Sequence, residues 1–276
     1  MLTPRVCPVV SLSRRTDMPA FFPGRCNEIF DGNAFRAAVF WSKNPEPLYK
    51  YLIDMPPTWY LQYTINDYEN EGYEPHIPPL QTRIETLQTI ADTFDATRCV
   101  WRFDPLFIVH NQITYGDIIA KFAAIADQLN GCIDQCVVSY IDLYGHVAAR
   151  VPAAVRRPNV AEIMELEKAF AHIAQRNHFA LTYCAEPTNT PTMFPPSRCI
   201  DYRRLFAINA MQSTPDTELN EYLLRYMDAP DPSQRSRCHC NPSVDLGEYG
   251  TCRHACAYCY AQKQSVPDQQ VGLGAF

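Results

Sequence analysis

The chain has 276 residues, 47% of them hydrophobic and 20% charged, with a formal net charge of −6 and a pI near 5.6. That composition suits a globular protein with a sizeable core, and the acidic balance gives no general attraction to phosphate backbones or anionic membranes. No run approaches the roughly 20 apolar residues of a membrane-spanning helix.

The amino-terminal stretch meets Arg14, Arg15 and Asp17 almost at once and reads as neither a signal nor a transit peptide. A cytoplasmic protein is expected, and its twelve cysteines are read as reduced thiols used for metal binding or packing.

A short β-branched and aromatic run that closes on polar residues recurs six times. The first is Val6 to Ser13, closing on Arg14, Arg15, Thr16 and Asp17. Ala37 to Trp41 closes on Lys43 and Asn44, and Trp59 to Ile65 carries Gln62 and Thr64 and ends at Asn66 and Asp67. Cys99 to Phe103 ends at Asp104, Cys136 to Ile141 at Asp142, and Phe179 to Tyr183 at Cys184 and Glu186. Runs this short and continuously apolar read as strands buried on both faces. Between them, Pro79 to Phe94, Tyr115 to Leu129 and Val160 to Asn177 carry a helical period, and Asn159 with Glu162 resembles a helix cap.

Strands alternating with helices predict parallel βα units over residues 1–186, an α/β fold of the TIM-like (βα) barrel kind, partial or full. Residues 187–276 read as a Pro-rich loop, two helices (Asp201 to Met211 and Thr217 to Met227) and a cysteine-rich tail closing over the barrel. In such folds the C-terminal ends of the strands form the active face. That face would gather Arg14, Arg15, Asp17, Lys43, Asn44, Gln62, Thr64, Arg102, Asp104, Ser139, Asp142 and Glu186. Arg102 and Asp104 are two apart on one strand, which predicts a charged pair on one face. Taken singly, each of these residues also fits a strand-end turn or a surface ion pair.

The tail carries Cys252, Cys256 and Cys259 in a C-x3-C-x2-C array. Three thiolates can hold an iron–sulfur cube whose fourth iron keeps an open coordination site. Zinc is the alternative, with Cys238 or Cys240 completing four ligands. Cys184, Cys199, Cys238 and Cys240 could together hold a second centre, an iron–sulfur cluster or zinc, or be buried thiols without metal. Cys7, Cys26, Cys99, Cys132 and Cys136 read as packing residues; His239 and His254 are candidates for ligation or for contacts near the cluster, and neither is assigned to metal.

S-R-R-T-D-M-P-A at Ser13 to Ala20, F-W-S-K-N-P at Phe40 to Pro45, Q-Y-T at Gln62 to Thr64, W-R-F-D-P at Trp101 to Pro105, and the tail C-H-C…D-L-G-E-Y-G-T-C-R-H-A-C-A-Y-C-Y-A resemble the bacterial DUF1848 family. That family supplies no reaction. The array with aromatic Tyr258 before its last cysteine is similar to that of the radical S-adenosylmethionine (SAM) superfamily, and its Y-C-Y-A ending to the spore photoproduct lyase branch. Members of that superfamily usually carry the array after the first barrel strand, whereas here it lies within the last 25 residues.

The resemblance implies a [4Fe–4S] cluster on Cys252, Cys256 and Cys259, SAM as cofactor, and an external electron donor of the flavodoxin or ferredoxin type. On that reading Arg14, Arg15 or Lys43 pairs with the methionine carboxylate, and Asp17, Asp104, Asp142 or Glu186 holds ribose or substrate. Gln62 and Tyr258 join the cofactor-binding set, and Arg102, Asp104 and Asp142 are the catalytic candidates. A zinc-stabilised ligand-binding or hydrolytic barrel, and an iron–sulfur electron-transfer protein without SAM, are the competing expectations.

Overall fold

Uninterrupted β-branched and aromatic runs favour strands, and apolar residues recurring every three or four positions favour amphipathic helices. A computed structural model describes residues 7–31, 35–235 and 237–262, in which both kinds of element alternate. In chain order they are β1 (Val9–Leu12), α1 (Met18–Phe21), α2 (Pro23–Glu28), β2 (Ala37–Ser42), β3 (Thr58–Thr64), α3 (Leu80–Phe94), β4 (Cys99–Leu106), β5 (Ile108–Val109) and α4 (Tyr115–Gln128). There follow β6 (Gln135–Tyr140), α5 (Gly145–Ala148), β7 (Val155–Arg156), α6 (Val160–Arg176), β8 (Ala180–Tyr183), α7 (Tyr202–Ala210), α8 (Thr217–Arg225) and β9 (Val244–Asp245). The six expected strands and five expected helices are all present, within a few residues of their expected ends; Val6 and the end of the tail, 263–276, lie outside the described residues.

Seven strands form one parallel sheet in the order β8-β6-β4-β3-β2-β1-β9, while β5 and β7 make a separate antiparallel pair. Among the described residues β8 and β9 are the two edges, so the sheet is open and a full ring is not formed. A seventh strand, β9, goes beyond the six expected. Val244 pairs with Val10 and Asp245 with Ser11, which joins the tail to the same sheet as the βα units.

Side chains alternate between the two faces of the sheet, and each face has its own cover. One face carries Val10, Phe40, Leu61, Trp101 and Val138 and packs against α3, α4 and α6 through Ile84, Leu87, Phe122, Phe170 and their neighbours. Trp101 stacks on Phe122 with ring centres 4.8 Å apart, and Phe122 on Phe170 at 4.0 Å, which locks β4, α4 and α6 together. Two of these helices begin with reciprocal caps, Thr114 with Asp117 and, as expected, Asn159 with Glu162.

The other face starts apolar, with Val9, Val39, Tyr60, Val100 and Val137 under Leu205, Ile208, Leu219 and Leu223 of α7 and α8. Further along the same strands it turns polar, at Ser11, Gln62, Arg102 and Ser139. α7 and α8 therefore cover the beginnings of the strands and leave their ends to the site.

Candidate functional site

A cavity of about 810 Å³ opens at the C-terminal ends of the strands. Its wall includes Arg14, Arg15 and Asp17 after β1, Lys43 after β2, Arg102 and Asp104 of β4, and Ser139 and Asp142 at the end of β6. Cys252, Cys256, Cys259, Cys184, Cys199, Cys238 and Cys240 all line it too. Asn44, Gln62 and Glu186 are the three strand-end candidates that lie outside the lining.

The array occupies the loop that leaves β9. Leu246 donates its backbone N–H to Ser11 O at 3.0 Å, extending the β1 pairing, and Thr251 Oγ1 bonds Thr16 Oγ1 at 2.9 Å. Gly247 permits this close approach, because a Cβ there would lie 2.1 Å from Ser13 Oγ. Further ties hold the loop in place. Arg150 donates to Cys259 O, Tyr260 Oη donates to Arg14 O at 2.6 Å, and Ala257 N donates to Tyr73 O at 3.0 Å. Ala255, at φ +56°, makes the left-handed turn between Cys252 and Cys256.

Cys256 is buried, and Cys252 and Cys259 are half-buried. Each thiol lies within electrostatic reach of the other two. Burial pushes the Cys252 thiol up to about 11 and Cys256 higher still, the Lys43 charge acting the other way at Cys256.

Behind the array, Lys43 Nζ lies 2.6 Å from Glu74 Oε1 and 3.0 Å from Tyr258 Oη, and Tyr258 also donates to Glu74. Asn66 Nδ2 reaches the same carboxylate at 3.1 Å. Burial alone would raise the Glu74 carboxyl, but the Lys43 charge, hydrogen bonds from Lys43 and Tyr258, and the Arg83 charge hold it below its ordinary value. Burial likewise opposes the Lys43 charge, and Glu74 nonetheless keeps the ammonium above its usual range.

Asp17 is a second anchor. Its carboxylate caps α1 at Ala20 N (3.0 Å), takes Ser42 Oγ (2.8 Å) and Lys43 N (2.7 Å), and meets His254 Nε2 at 2.8 Å. The other ring nitrogen of His254 faces His76 O at 3.1 Å.

On β4, Arg102 and Asp104 are paired as expected, and Ser139 Oγ is 3.3 Å from the same Asp104 oxygen. Arg102 Nη1 also reaches Gln62 Oε1 at 3.3 Å and Cys199 Sγ at 3.1 Å, while its guanidinium lies 5.2 Å from the Trp41 ring centre. Gln62, committed to Arg102 and to Cys199 O at 2.9 Å, orients these groups from behind. Glu186 accepts from Tyr140 N at 2.8 Å and from Arg157 at 2.5 Å, so its carboxylate is spent on holding the β6–β8 edge. Asp142 is more exposed and faces Arg235 at 3.0 Å. Arg14 and Arg15 face Asp245 of β9 at 3.8 and 3.6 Å.

Sequence reasoning missed Glu74, the part played by Trp41 and the Asp17 contact of His254, and it read Asn66 only as the polar end of the third strand run. Glu74 lies in the irregular segment between β3 and α3, where no periodicity marks it. The one available signal for His254 was its place inside the array.

All twelve cysteines are free. Among the described residues no group of three or more His, Cys, Asp or Glu side chains is gathered closely enough round one point to hold a single metal ion. A cube-shaped cluster makes a different demand, one iron for each cysteine. Three thiols set round the edge of a cavity, with a lysine and hydrogen-bond donors behind them, are a donor set of that chemistry.

No described helix is long and apolar enough to cross a membrane. No curated protein matches the chain. The family model described as Domain of unknown function (DUF1848) matches residues 25–261, and the chain belongs to that family.

Proposed function

We propose that the protein is a radical SAM-type iron–sulfur enzyme and that its open sheet serves as a partial (βα) barrel. The observation that carries this reading is the position of the array. β9 lies beside β1 at the edge of a parallel sheet, and the loop leaving it brings Cys252, Cys256 and Cys259 to the strand ends. The radical SAM superfamily carries its array in the loop after the first barrel strand; here it follows β9, which pairs with β1.

Cys252, Cys256 and Cys259 would hold a [4Fe–4S] cluster. Bound there, that cluster supplies one-electron reductive cleavage of SAM to methionine and a 5′-deoxyadenosyl radical. The chain's own residues bind, orient and exclude water. Arg14, Arg15 and Lys43 put positive charge on the wall nearest the array, suited to a carboxylate. Arg102, Asp104 and Ser139 offer substrate a paired donor and acceptor further along the same wall, and Asp142 a freer carboxylate at the rim. The volume of about 810 Å³ falls within the range of small-molecule sites. An external flavodoxin- or ferredoxin-type protein would deliver the electron.

The test is anaerobic reconstitution. The full chain should turn brown, bind about four iron and four sulfide at the array, and release 5′-deoxyadenosine from SAM on reduction. Cys256→Ala should abolish that product. A reconstituted cluster that never cleaves SAM would favour simple electron transfer instead.

A further inference from the structure

The second group of cysteines lies outside that scheme, and two of its members are in contact. Cys184 Sγ and Cys199 Sγ are 3.6 Å apart, and both residues line the cavity. The backbone builds that contact. Tyr183, the last residue of β8, donates its N–H to Pro195 O at 3.0 Å and accepts from Ser197 N at 2.7 Å. The Pro-rich loop over residues 185–198 thus returns to the strand it left and brings the cysteines at its two ends together. Cys184 N donates to Val138 O at 2.9 Å, and Cys199 O accepts from Tyr60 Oη at 2.8 Å and Gln62 Nε2 at 2.9 Å, so both backbones are pinned. We propose that Cys184 and Cys199 are a redox-active dithiol, which a small-molecule disulfide entering the cavity oxidises to an intrachain disulfide.

Geometry gives the two sulfurs different roles. Cys199 is 1% exposed and Cys184 is half-buried, so an incoming disulfide meets Cys184 first. Arg102 Nη1 donates to Cys199 Sγ at 3.1 Å, and a guanidinium, which only donates, favours that sulfur as thiolate. Cys184, as thiolate, attacks one sulfur of the small disulfide, forming a mixed disulfide and releasing one small thiolate. The Cys199 thiolate then attacks Cys184 Sγ, which breaks the mixed disulfide and releases the second. The protons given up by the two protein thiols leave on the two small thiols; the protein pair is oxidised by two electrons and the small disulfide reduced by two. Closing the contact to a bond of about 2.05 Å asks the sulfurs for about 1.5 Å of approach.

The new bond would join the end of β8 to the start of α7 and fix the loop at both ends. It would also take the thiolate charge away from Arg102, leaving the guanidinium to Asp104 and Gln62. The wall formed by Arg102, Asp104 and Ser139 would therefore differ in charge between the reduced and oxidised chains.

The experiment takes the full chain, purified anaerobically and freed of reductant, and adds oxidised glutathione. Remaining thiols are alkylated and every cysteine is assigned by peptide mass. A peptide pair joined through Cys184 and Cys199 is expected, formed about tenfold faster than any other pairing. Cys199→Ser should keep glutathione on Cys184 as a stable mixed disulfide, and Cys184→Ser should leave Cys199 unmodified. Iron, sulfide and 5′-deoxyadenosine do not enter this readout, so failure of the radical reading and failure of this pair give different results.

Both cysteines alkylated in treated wild type, Cys184 joined to a different cysteine, no glutathione on Cys184 in Cys199→Ser, or glutathione on Cys199 in Cys184→Ser would each overturn the proposal. Wild type in urea provides a measurement that needs no variant to fold. The preference for this pair should vanish there, and a preference that persists overturns the proposal, because nearness along the chain would then be making the bond.

Discussion

The two faces of the sheet are made by the same strands, one residue out of step, and they have different tasks. The face under α3, α4 and α6 is apolar along most of its length, Ser42 at the end of β2 being polar, and its stacked Trp101, Phe122 and Phe170 act by filling space. The face under α7 and α8 is apolar only at the beginnings of the strands; towards their ends it carries Ser11, Gln62, Arg102 and Asp104. Packing on one side is thereby separated from chemistry on the other within a single strand, and β4 shows this in four successive residues, Trp101 to Asp104.

If the faces divide in this way, Trp101→Ala should have the largest effect on folding. It removes the stacked ring and the donor to Ile65 O at 2.9 Å, and a loss of about 3–5 kcal/mol in urea unfolding is expected. The loss should be the same with or without bound cofactor. A cofactor-dependent loss would show that the faces are not separate.

Lys43→Ala comes next. It leaves the fully buried Glu74 without its cation, which should cost about 3 kcal/mol and weaken iron retention at the array. Adding Glu74→Gln should recover much of the stability but not the iron. The same pair gives a pH signature. The Glu74 carboxyl lies below its ordinary 4.5, so its contribution is complete above 4.5 and disappears as pH falls through the lower folded-state value. Lys43 lies above its ordinary 10.5, so its contribution is present below 10.5 and disappears as pH rises through the higher one. Wild type unfolded in urea across pH should show both limbs, and the double variant should show each of them reduced.

Gly247→Ala should push the array loop away from Ser13 at a cost of about 2 kcal/mol, with cofactor retention falling before the helical signal does. The smallest effect belongs to the packing face again. Asn159→Ala removes the α6 cap, should cost about 1 kcal/mol in urea unfolding, and should leave iron content unchanged.

What could be read in the sequence follows from range. β1 to β8 of the main sheet and α3, α4 and α6 were legible because their apolar patterns repeat within a few residues, as in Ile84, Leu87 and Ile90. The Arg102–Asp104 pair was legible from strand alternation alone, and Tyr258 from its place beside Cys259. β9 has two residues and no period of its own; it is a strand because Val10 and Ser11 are there to pair with it. Glu74 is placed by Lys43 and Tyr258, partners that only the folded chain brings near. Gln62 and Glu186 carried the right chemistry at strand ends, but neighbours already occupy their polar atoms.

The pairing of β9 with β1 joins an early segment to a late one across nearly the whole chain. During synthesis β1 leaves the ribosome with its outer edge bare, and its partner β9 is not made until every other strand of the sheet has been made. The strand that leads into the array is thus the last of the sheet to be made, like a keystone cut after the other stones.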